Sequence, residues 1–291
     1  MRFINTSGYN PKSWKAESQK KLKAMVACPT IDDKKAFLNT AANWTWTEHK
    51  PAFEKMSHKK CWFSEAYATV SDFQIEHFRP KKKIDLVRSK DDYQEKRTVA
   101  DTNGYWWLSY ELENFRLAGG KPNQIKGNYF PLETNSLVAR QLDNSWRREV
   151  SILLDPCVQS DTALITYDGV EPKEANPNPA SLEHIRARVS IKVYGLKIDK
   201  LKNARARVHE EAKNYYSNAL PNWNAMNANQ GLNQVAYDLA KENFDRSCMN
   251  LVFMLKPNKE FTRMVLAFLV AANQLWVQQY VIDIAKNNKF I

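Results

Sequence analysis

From Ser181 to the C-terminus the chain is written almost wholly in helical periodicity, which confines what the whole can fold into. Ser181 reads as the N-cap of a helix that runs to about Tyr194 and is ended by Gly195. A second, highly charged helix is expected from Asp199 to about Leu220, then two more over roughly 232–254 and 258–286. The last of these contains an uncharged stretch, Met264 to Ile282, that carries Asn273, Gln274, Gln278 and Gln279. Four amides would be costly in hydrocarbon, so this stretch reads as a buried core helix and no membrane partner is expected.

The first half is patterned differently. Residues 14–40 read as helical, with Trp14, Leu22, Met25 and Val26 on one side. Short extended pieces follow, Cys61-Trp62-Phe63 and then Phe73 to Phe78, read as a small hairpin. A polar, charged loop is expected from Lys81 to about Asn103. The apolar run from Tyr105 to Leu117 should pack onto the hairpin, and Phe130-Pro131-Leu132 closes the unit. Further on, the Asp168-Gly169 pair suits a turn, and Glu171 to Pro179 reads as a surface loop. Nine Trp, twelve Tyr and thirteen Phe against only eight Gly supply a sizeable core and exclude a disordered or fibrous chain. The class is therefore α+β, mainly α-helical. Four segments are expected: an N-terminal helical segment 1–57, a core 58–132, a connecting region 133–180 and a helical region 181–291.

Charge narrows the partners. The chain carries +11, and most of it, a net +8, lies before residue 133. Lys20-Lys21, Lys59-Lys60 and Lys81-Lys82-Lys83 are clustered there. A polyanion is the expected partner, nucleic acid first, although a basic solvated surface would give the same count. The N-terminus lacks the apolar run of a signal peptide. Cys28, Cys61, Cys157 and Cys248 form no CxxC pair, as expected of reduced thiols in a cytoplasmic protein.

The residue that draws attention is His77, in Glu76-His77-Phe78-Arg79-Pro80-Lys81. Alone, a histidine in a strand is usually structural, and Asn114 or Asn123 alone is usually a cap or turn residue. The order of three segments changes that reading. Glu-His-Phe-Arg-Pro-Lys is followed by Tyr-Trp-Trp-Leu-Ser-Tyr-x-x-x-Asn and then by Asn-x-x-Lys-Gly-x-x-Phe-Pro-Leu. Over roughly residues 58–132 this resembles an HNH endonuclease with a ββα-metal core. Within that superfamily it is most similar to the HNH protein of Septu anti-phage systems (PtuB) and its retron-associated relatives.

The resemblance implies metal-dependent hydrolysis of phosphodiester bonds. His77 would be the general base, a role that suits its ordinary pKa of about 6.5. Asn114 would orient the histidine and fix its tautomer. Glu76, on the opposite face of the strand, and Asn123, on the following helix, would hold Mg²⁺ or Mn²⁺. Arg79, Lys81 and Lys126 are candidate phosphate ligands. The implied partners are an SMC/ABC-type ATPase (PtuA) and nucleic acid, with DNA the default substrate. RNA such as tRNA stands second, in a retron setting with a reverse transcriptase and its msDNA. A non-catalytic scaffold that tethers nucleic acid to the ATPase is the alternative from another class.

One departure bears on stability. In most members of the family it resembles, two CxxC pairs clamp this core around a structural zinc. Here the corresponding positions are Cys61, Ser64, Gly119 and Pro122, so one thiolate remains and no structural zinc is expected. Aromatic packing by Trp62, Phe63, Trp106 and Trp107 is the expected replacement.

Overall fold

A computed structural model of the chain describes residues 1–68, 72–87, 93 and 102–291. It is mainly helical with two small two-stranded sheets, and it divides into two compact units. The first comprises Met1–Ile165 with Glu174–Leu196; the second comprises Thr166–Lys173 with Lys197–Ile291.

In the first unit, the expected N-terminal helix is two helices, α1 (Lys12–Val26) and α2 (Ile31–Asn39). Pro29 ends the first, and Thr30 starts the second with a reciprocal capping box to Asp33. A short helix α3 (Lys50–Met56) follows, with a proline in its first turn. Strand β1 (Gln74–His77) then pairs antiparallel with β2 (Phe115–Ala118), placing Glu76 opposite Arg116 and His77 opposite Phe115. This corrects the expected hairpin. Cys61–Phe63 is not a strand but part of a turn, and Trp62 donates its N–H to the Leu117 carbonyl at 3.0 Å. Most of the expected 81–103 loop, residues 88–101 apart from Tyr93, lies outside the described residues.

Helix α4 (Gly120–Lys126) leaves β2 directly and packs on β1, while α3 packs on β2. A short α5 (Gln159–Thr162) precedes the β3–β4 hairpin (Ile165–Asp168 and Glu171–Glu174), whose turn uses Gly169 at φ +53°. The segment expected as loop from Glu171 thus begins as a strand. Helix α6 (Leu182–Val193) is capped by the Ser181 hydroxyl, which accepts from His184 N–H. Gly195 ends it at φ +59°.

The second unit is a helical assembly led by α7 (Asp199–Asn229) and α8 (Gln234–Met254), the latter capped by Asn233. The expected 258–286 helix is interrupted. It forms α9 (Thr262–Ala271), then α10 (Leu275–Val277), a π-helical turn Gln278–Ile282 and α11 (Asp283–Asn287). The break falls at Asn273, in left-handed backbone at φ +48°. Trp276 is buried beyond it against Tyr216 and Phe244. No helix among the described residues is long and apolar enough to cross a membrane.

Candidate active site

Strand β1 divides the site into two faces, because successive side chains of a strand point in opposite directions. On one face, His77 is 3 % exposed and lies edge-on to Trp46 and Phe115, with ring centroids 4.9 and 5.1 Å away. Both of its nitrogens are engaged. Nε2 is 3.0 Å from the Ser109 carbonyl oxygen, and Nδ1 is 3.1 Å from Lys81 Nζ. A carbonyl only accepts, so Nε2 carries the proton and Nδ1 presents its lone pair to the ammonium. Burial, and secondarily Lys81, hold the imidazole pKa well below its ordinary value. The ring is thus neutral at pH 7, in one tautomer. Those are the properties of a resting general base.

The other face carries Gln74 and Glu76 toward α4. Asn123 Nδ2 donates to Gln74 Oε1 at 2.5 Å, and Lys126 Nζ reaches Glu76 Oε1 at 2.6 Å and the His77 carbonyl at 3.2 Å. The expected pair of oxygen donors, Glu76 and Asn123, therefore lies on facing elements but one position out of register. Carboxylate and amide oxygens are the donors a hard divalent ion takes, so the residues fit Mg²⁺ or Mn²⁺ in kind. Such an ion would have to displace Lys126 to reach Glu76. Among the described residues, no three His, Cys, Asp or Glu side chains converge as a metal site.

The other expected site residues fall into distinct places. Asn114 does not touch the His77 ring. Its Oδ1 accepts from Arg79 N–H at 2.8 Å, and its Nδ2 donates to the carbonyls of Arg79 and Leu108. It behaves as a peptide group that extends the β1–β2 ladder by one step, and the Ser109 carbonyl orients the ring instead. Arg79 is buried and not free for phosphate: Glu149 takes its Nε at 2.8 Å, the Trp146 carbonyl takes Nη2, and the guanidinium lies over Trp146 and Phe130. Lys126, 1 % exposed, is likewise committed to Glu76. Lys81 differs. Half-buried, it meets the His77 ring and the Trp46 face at 4.7 Å, and burial lowers its pKa to about 8.

Sequence reasoning missed Trp46, Ser109 and His49. Ser109 acts through its main chain, which no side-chain pattern records. His49 is buried beside the site, bonded through Nδ1 to the Tyr9 hydroxyl at 2.8 Å and packed between Phe53 and Phe115. Burial lowers its pKa to about 4.

Of the four positions matched to zinc thiolates, Cys61, Gly119 and Pro122 lie together. Cys61 Sγ accepts the Gly119 N–H at 3.3 Å, and a Cβ on Gly119 would lie 3.9 Å from the same sulfur and 3.6 Å from Pro122. Ser64 is buried in the Cys61 turn and its hydroxyl accepts the Ala66 N–H. Packing of that turn comes from Trp62, stacked on Phe53, and from Phe63, stacked on Tyr194. Trp106 and Trp107 belong to a separate cluster with Tyr105, which Lys34 covers from above Trp106.

With this geometry in view, the chain is 30% identical over 167 residues to the Septu protein PtuB of Bacillus mycoides (strain KBAB4). The two proteins are related. The match takes in 56% of this chain and 51% of the other, so the chain spans about half the length of the curated relative it matches. No family model matches the chain.

Proposed function

We propose that the chain is an HNH-type nuclease acting in a Septu-like anti-phage system, with an SMC/ABC-type ATPase as partner and DNA as the default substrate. The observation that carries this reading is the state of His77: neutral, held in one tautomer by the Ser109 carbonyl, and presenting Nδ1 to the Lys81 ammonium. The relation to a Septu PtuB protein supports the biological setting.

In the proposed reaction, His77 Nδ1 removes a proton from water and the resulting hydroxide attacks phosphorus. The P–O bond to the leaving strand breaks, and that oxygen takes up a proton from solvent. Lys81 supplies positive charge at the phosphate. Glu76 and Asn123 would hold a divalent cation, which when bound would neutralise charge on the phosphate and on the leaving oxygen. The test is cleavage of duplex DNA and of tRNA by the chain with its ATPase, in Mg²⁺ or Mn²⁺ and with a chelator control. His77→Ala should lower turnover by roughly 10²–10⁴-fold while nucleic-acid binding survives. Unchanged turnover would remove His77 from the reaction.

One observation favours a second reading, a scaffold that tethers nucleic acid. Both functional faces are closed, His77 by Lys81 and Glu76 by Lys126. Phage protection separates the two. A Glu76→Ala/His77→Ala double variant that still protects cells would establish the scaffold.

A further inference from the structure

We propose that Lys81 is a phosphate-operated cover on the general base. In the free protein its ammonium occupies His77 Nδ1; an entering phosphate draws the ammonium onto its own oxygens and bares the lone pair. The inference rests on the nuclease reading and adds to it how substrate itself makes the base competent.

Three observations carry it. First, the imidazole has only one nitrogen to offer, because Nε2–H is held by the Ser109 carbonyl. While Nδ1 accepts from Lys81 at 3.1 Å, it cannot accept a proton from water. Second, the three cations expected to hold phosphate are not equally able to move. Arg79 leaves behind the buried Glu149, and Lys126 leaves behind Glu76. Stranding a buried charge in this way is strongly unfavourable. Lys81 forms no ion pair with a carboxylate among the described residues, and its contacts are an imidazole lone pair and an indole face. Its departure breaks no direct ion pair among the described residues, and the nearby Glu76 keeps Lys126 as its partner. Third, its four-carbon stem is half-buried and the chain continues into Lys82, half-exposed, and Lys83, exposed and paired with Asp85. Those neighbours draw a polyanion toward the same point. A phosphate oxygen carries a formal charge that the imidazole lacks, so a bond between opposite charges replaces one from an ammonium to a neutral ring when the ammonium moves.

The experiment reads the lone pair directly. Nitrogen-15 NMR of the His77 ring is recorded on the full chain at constant pH and ionic strength, with inorganic phosphate titrated against a chloride control. In wild type, Nδ1 should move saturably from the position of a bonded nitrogen toward that of an unbonded one with phosphate, and not with chloride. In Lys81→Met it should start at the unbonded position and ignore phosphate. Should that variant not fold, the wild-type titration still decides. An Nδ1 signal unmoved by phosphate, or moved equally by chloride, overturns the cover. Neither result depends on turnover, so a dead enzyme with a phosphate-sensitive Nδ1 would fail the nuclease reading and keep the cover. An active one with a fixed Nδ1 would do the opposite.

Discussion

Lys126 and His49 show how single buried groups set testable properties of the site. Lys126 gives its charge to Glu76 in a setting that admits almost no water. Lys126→Met would leave the carboxylate buried and unpaired, lowering stability by about 3–5 kcal/mol and the unfolding midpoint with it. A divalent ion held by Glu76 and Asn123 would repair that loss by mass action. Mn²⁺ should therefore raise the midpoint of Lys126→Met more than that of wild type, and a chelator should reverse the gain. A variant indifferent to Mn²⁺ would make Glu76 a structural carboxylate. His49 works through pH. Its pKa is about 4 in the folded chain, lowered by burial, against about 6.5 unfolded. Between those values the unfolded chain binds the extra proton, so stability rises with pH across this window. The contribution is complete above about pH 6.5 and lost as pH falls to about 4, a span of up to about 3 kcal/mol. Unfolding of His49→Phe, followed from pH 4 to pH 7, should show a flatter slope than wild type.

The Cys61 turn is the element whose stability most departs from its family resemblance. With one thiolate at the four matched positions, a chelator should leave the thermal midpoint of the purified chain unchanged. Trp62 and Phe63 hold the turn through Phe53 and Tyr194, so Trp62→Ala should cost about 3–5 kcal/mol. A chelator-induced fall in the midpoint, read by calorimetry, would show that the ligand positions are misassigned. The sequence pointed to Trp107 as readily as to Trp62, because both are tryptophans beside the core. What separates them is which neighbour each meets, and that is not a local property. The same distinction runs through the fold. The ends of α6 were readable because Ser181 and Gly195 act within a turn of themselves, and the Gly169 hairpin for the same reason. The partner of β1 was not. Four residues of strand carry too little pattern to choose between the nearby Cys61 segment and Phe115–Ala118. The bonds of Asn114 and the commitment of Arg79 to Glu149 likewise depend on groups 35 and 70 residues away.

For the whole molecule, the uneven charge is the property with the widest consequence, but the structure reduces how much of it faces solvent. Lys34, Lys60 and Lys126 are buried, and Arg79 and Arg116 spend their charge on Glu149 and Asp155. Lys12, Lys15, Lys20, Lys59 and Lys83 remain exposed, and Lys81 and Lys82 are half-exposed. Such a surface is expected to neutralise a few phosphates, not ten. If about four are met, the logarithm of the binding constant should fall with log salt at a slope of roughly −3 to −4 on duplex DNA, and less steeply on a single strand. Anisotropy titrations of His77→Ala, which should bind without cutting, give this slope directly. Lys81→Met added to that background should reduce it by about 1, because one phosphate contact is lost, and the loss should be similar for unrelated sequences. A flat salt dependence would take nucleic acid away as the partner of the basic surface. A normal slope unaffected by Lys81→Met would keep the nucleic acid and remove Lys81 from its backbone.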